Sequence, residues 1–164
     1  MTFFNAKPTP IIRVGVNRYI CRVAIAEVKD TAPDSLDKWS AVEVIVDGVS
    51  MDAIKTAILA WYNEQIDERI LSGFVWKDMK VWLSSENQFN YKAAYDLAVQ
   101  NGGANLPITF KFGTTNEPVY HTFTTVEELN GFYLSAMKYI NDTLAAGWAE
   151  KDAIDWNAYD VSKM

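Results

Sequence analysis

From Val126 to Trp148 the chain sets an apolar residue every three or four positions: Val126, Leu129, Tyr133, Met137, Ile140, Leu144 and Trp148. That is the helical period, so these side chains descend one face of a single long helix. Its start is marked twice. Thr124 and Glu127 have capping-box spacing, and so do Thr125 and Glu128. A helix of about six turns draws most of its stability from packing its apolar face. Whatever precedes it in the chain therefore has to supply a surface for that stripe.

The preceding segments read as small paired strands. "GFVWKDMKVWLS" alternates around Lys77-Asp78, which reads as a hairpin with Trp76 and Trp82 on its arms. "SSENQFNYKAAYDLAVQNGG" is a helix, with Ser85 and Gln88 at capping-box spacing and Gly102-Gly103 closing it. "LPITFKFG" and "PVYHTF" are strands joined by the turn-rich "GTTNEP". The tail "EKDAIDWNAYDVSKM" adds a short turn or frays.

Nearer the N-terminus, "NAKPTP" is an extended, Pro-bearing arm. "IIRVGVNRYICRVAIAEV" alternates in the strand period about a turn at Asn17-Arg18. Ile12, Val14 and Val16 share one face; Cys21, Val23 and Ile25 share another. "KDTAPDSLDKW" is a polar loop, and "AVEVIVDG" is a third strand with an Asp-Gly turn. Ser50 caps a helix with the stripe Ile54, Ile58, Trp61, Ile66 and Ile70, and Gly73 follows it. The expected fold class is α+β: a small β-rich N-terminal part over 1–72, then a β-β-α-β-β-α part over 73–164 with a long C-terminal helix. The chain is short for two independent cores, so the parts are expected to pack as one unit.

Composition narrows the function. A formal charge of −6 repels phosphate backbones, so nucleic acid is not an expected partner. One Cys and one His exclude an intrachain disulfide and a thiolate zinc cluster, and no metal or cofactor is expected. No stretch reaches the length of a membrane span, and "MTFFNAKPTPIIRVGVNRY" lacks the pattern of a secretory signal. His121 lies in a strand without a neighbouring nucleophile, which implies a surface or interface role. The acidic pairs Asp67/Glu68 and Asp152/Asp155 read as solvated helix faces. No catalytic residue is assigned, and the chain is read as non-enzymatic.

The second half, "VWLSSENQFNYKAAYDLA", "LPITFKF" and "YHTFTTVEELNGFYLSAMKYINDTLAAGWAEKDAID", resembles a family of uncharacterised domains encoded by tailed phages and prophages. Such domains stand at the C-termini of tail-fibre and other tail-associated proteins. The resemblance spans about 74–155 and rests on the Trp-Leu strand end, the short aromatic strand and "T-x-E-E-L" at the helix start. It implies a virion protein, assembled in the host cytoplasm.

Aromatics are the compositional anomaly, at 13% of the chain with six Trp. Trp61 and Trp148 lie on helical stripes and Trp82 in an apolar strand, which favours the core. Trp39, Trp76 and Trp156 are freer, and Phe3, Phe4 and Tyr159 sit near the ends. These six are the candidates for protein–protein contact. The expected function is a structural or adaptor protein of a phage tail, a homo-oligomer in contact with other virion proteins. A tail-fibre assembly chaperone and a glycan-binding module, using exposed Trp as a stacking platform, are the alternatives.

Overall fold

The alternating segments form strands and the periodic ones form helices, in a computed structural model that describes residues 1–29, 37–48 and 50–163. The order is β1 (Thr2–Phe4), β2 (Ile11–Gly15), β3 (Arg18–Glu27), β4 (Trp39–Asp47), α1 (Met51–Ser72), β5 (Phe74–Trp76), β6 (Met79–Val81), α2 (Ser85–Gln100), β7 (Ile108–Gly113), β8 (Pro118–Phe123) and α3 (Val126–Asp152). Two short 3-10 turns, Trp156–Tyr159 and Val161–Lys163, follow. The fold class is α+β. Residues 30–36, most of the expected polar loop, lie outside the described residues.

Contacts divide the chain into two units, 1–63 with 150–164, and 64–149. The sequence places its break at Gly73, where the helix ends. The division instead falls inside both long helices, because the apolar stripe of each continues without a signal across it. Ile54 and Ile58 of α1 belong to the first core, whereas Ile66 is buried in the second unit.

In the first unit the strands form a four-stranded antiparallel sheet in the order β1-β4-β3-β2. One face carries Ile11, Tyr19, Cys21, Val23 and Val46, buried against Ile54 and Ile58 of α1. Trp61 packs half-buried on the same core, as its stripe position implies. The residues after α3 complete that core. Asp155 caps the first 3-10 turn, and the Tyr159 hydroxyl donates to the Arg22 carbonyl at 2.7 Å. The β2–β3 turn falls at Val16-Asn17, one residue earlier than expected, since Gly15 pairs with Arg18. Strand β1 is the element that local pattern does not reveal, because its partner is far along the chain: Phe3 pairs with Ser40 and Phe4 with Trp39.

In the second unit β5–β6 and β7–β8 are hairpins. Lys77 and Asp78 take φ of 47° and 63°, the left-handed pair that a tight two-residue turn requires. Their inward residues, Phe74, Val81, Phe112 and Phe123, pack with Tyr91 of α2 and with Leu129, Phe132 and Ala136 of α3. Helix α2 is capped by Ser84, whose hydroxyl accepts from the Asn87 amide, one residue before the expected Ser85. Gln88 then reaches the Leu83 carbonyl instead of closing a box. Gly73 has no left-handed φ. A side chain there would meet the Tyr139 hydroxyl at 2.2 Å and the Arg69 carbonyl at 2.6 Å, so close approach is what requires glycine.

Candidate functional site

The outward face of the first unit's sheet is where sequence and geometry diverge most. Ladder pairing sets Ile12 beside Ile20 and Ile20 beside Ile45, so three isoleucines form one row across β2, β3 and β4. None of the three belongs to the core. Ile45 is 63% exposed, and Val14, at the bulge that follows on β2, is 47% exposed. Charged pairs flank the row. Arg18 and Asp47 meet at 2.6 Å on one side, and Arg22 and Glu43 at 2.9 Å on the other. The Arg18 guanidinium holds the Asp47 carboxyl below its ordinary range. An apolar centre with a charged rim is the usual anatomy of a protein-contact surface. Strand alternation normally gives such a face polar residues, so "YICR" and "VIVD" carry the signal: apolar residues on both faces.

Two of the six aromatic candidates lie on this face: Trp39 shares its side of β4 with Glu43 and Ile45 and pairs with Phe4, while the other four lie elsewhere. Phe3 is 50% exposed on β1. Phe4 lies under the Arg22 guanidinium at 4.8 Å, and Trp39 carries Lys7 at 5.6 Å. Trp156 packs half-buried on the first core and Tyr159 is buried in it, so the tail docks on its own unit. Trp76 packs against the second core, with the rings of Phe123 and Phe132 at 5.3 and 5.2 Å. Two Trp residues expected in the core are outside it: Trp82 is 49% and Trp148 56% exposed.

His121 faces inward, contrary to the surface role its strand suggested. Its ring packs against Phe123 and Trp76, and Nε2 lies 3.1 Å from Glu128 Oε1. Lys77 Nζ donates to the same oxygen at 2.6 Å. The Lys77 hydrogen bond, seconded by His121, lowers the Glu128 carboxyl below its ordinary value. The Thr125 hydroxyl accepts from the Glu128 amide, so the cap forms while the Glu128 side chain serves the hairpin instead. The ring's hydrogen bond goes to a carboxylate and its faces to aromatics, which is a way of pinning β8 and β5–β6 to α3. Cys21 is fully buried, and burial raises its thiol to about 11, which keeps it protonated and unreactive at neutral pH. Among the described residues no group of three or more His, Cys, Asp or Glu is placed to hold a metal ion. No helix among them is long and apolar enough to cross a membrane.

The family model described as a domain of unknown function, DUF4376, matches residues 53–163. The chain belongs to the DUF4376 family. The DUF4376 segment contains the whole second unit together with most of α1 and the docked tail, and it encloses the stretch on which the phage-domain resemblance rests. The isoleucine row lies outside it, on strands that precede it. No curated protein and no solved structure matches the chain.

Proposed function

We propose that this protein is a non-enzymatic structural or adaptor component of a bacteriophage tail, working through contacts with other copies of itself or with other virion proteins. One observation carries the reading: the row Ile12, Ile20 and Ile45, half-buried at Ile12 and Ile20 and open to water at Ile45, set between two arginine–carboxylate pairs on the outward sheet face. Burying such a row on association is favourable at about 25 cal/mol per Å² of apolar area before the costs of association. The flanking ion pairs keep the free subunit soluble and set orientation more than affinity. The phage setting rests on the resemblance of residues 74–155 to domains of phage tail-associated proteins.

Mass spectrometry of purified particles from a phage or induced prophage encoding the chain tests the reading. The protein should be present in fixed proportion to the major tail proteins. Recovery only from the particle-free lysate would replace this reading with the assembly-chaperone one.

A further inference from the structure

We propose that the second unit binds an anionic saccharide in the groove between β6, β7 and the start of α2. This inference stands apart from the interface reading, since it uses other residues and another unit. The groove has a volume of about 610 Å³, within the range that seats a small ligand. Strand alternation builds it. Lys80 pairs with Val75, and Lys111 with Tyr120, and all four are exposed, while their sequence neighbours Val81 and Phe112 point into the core. The two hairpins thus present Lys80 and Lys111 on their outer sides, and both line the same groove. Among the described residues no carboxylate lines it. In a chain with a formal charge of −6, an acid-free groove holding two lysines is a local inversion of sign.

The remaining walls decide the kind of anion. Trp82, 49% exposed, lines the groove immediately before α2. An indole face open to water is a platform for the C–H face of a pyranose ring. Beside it, Asn87 Nδ2 donates to the Trp82 carbonyl at 2.8 Å, which fixes the amide and leaves Oδ1 to accept from a sugar hydroxyl. Thr114 and Thr115 add hydroxyls on the β7–β8 turn. An aromatic platform, a fixed amide, two hydroxyls and two ammonium groups match a sugar carrying a carboxylate or a phosphate. The overall negative charge argues against a long polyanion such as a nucleic acid strand.

Titration of the full-length, 15N-labelled chain by NMR tests this with three probes: tri-galacturonate, glucose 6-phosphate and neutral maltotriose. At least one anionic probe should shift the Trp82 indole N–H and the Lys80 and Lys111 amides. Maltotriose should bind about tenfold more weakly or worse, one charge-assisted hydrogen bond being worth at least that factor. A preference between the two anionic probes identifies a carboxylated or a phosphorylated glycan as the source. Trp82→Ala and Lys111→Gln should each weaken binding about tenfold or more. Both side chains are exposed, so unchanged melting certifies the fold of each variant. No shift at millimolar anionic sugar, equal binding of maltotriose, or wild-type affinity in both variants would overturn the proposal.

Discussion

Two glycines in α3 separate packing from helix propensity. On propensity alone, Gly131→Ala and Gly147→Ala should each stabilise by about 1 kcal/mol, since glycine is the poorest non-proline helix former. Their surroundings differ. A Cβ built on Gly131 meets nothing within 4 Å. A Cβ built on Gly147 would stand 2.3 Å from Ile66 Cδ1 and 2.4 Å from Ile66 Cγ1. Ile66 is 3% exposed, and a β-branched side chain in a helix has essentially one χ1 rotamer, so it has no easy way aside. Overpacking of this kind costs about 1–3 kcal/mol, which exceeds the propensity gain. Gly131→Ala should therefore raise the melting temperature, and Gly147→Ala should lower it, at about 2–4 °C per kcal/mol for a chain of this size. Adding Ile66→Ala to Gly147→Ala should cost less than the two single changes summed, because the Cβ occupies space the isoleucine vacates. Thermal and urea unfolding of the four variants provide the numbers. Equal stabilisation by both alanines would refute the close approach of the α1 and α3 segments inside the second unit.

Leu129, fully buried, should cost about 2–5 kcal/mol on replacement by Ala, whereas Lys138→Ala, which loses only an exposed pair with Asp142, should stay within about 0.5 kcal/mol in urea unfolding. Because Lys77 and His121 hold Glu128 below its ordinary value of 4.5, the carboxylate stabilises the fold above that pH and ceases to as pH falls through its lowered value. Glu128→Gln should consequently melt below the wild type at neutral pH, with the gap narrowing as pH falls below 4.5; a gap that widens in acid would contradict the assignment. Tyr159→Phe leaves the Arg22 carbonyl without its donor and should cost about 1–3 kcal/mol, read as a lower melting temperature, with faster amide exchange in β3.

Local pattern made much of this fold legible, and its failures have physical causes. The Lys77-Asp78 hairpin and the extents of α1, α2 and α3 follow from alternation, period and caps, all of which act within a few residues. The large apolar residues of α3 put Tyr133 and Trp148 on its stripe. The buried line runs instead through Leu129, Phe132, Ala136 and Gly147. Small residues carry little hydrophobic signal, yet they mark the side where a neighbour comes closest. Strand β1 was illegible because its ladder closes on residues 39–41, a partner that no local window contains. Of the candidate site, the sequence marked Ile12 and Val14 as one strand face. Its alignment with Ile20 and Ile45 depends on register, which only the paired strands define. The Lys80–Lys111 groove arises similarly, from two hairpins whose lysines are 31 positions apart in sequence.

The isoleucine row bears the weight of the assembly reading, and Ile45 is its most exposed member. Sedimentation velocity of the full chain across a concentration series, for the wild type and for Ile45→Lys, tests it most directly. The side chain is open to water, so the substitution should leave the melting temperature unchanged. The wild type should associate with itself, or co-sediment with purified tail proteins of the same phage, and Ile45→Lys should do neither. A wild type that stays monomeric and binds no tail protein, or a variant that associates as the wild type does, would contradict the account.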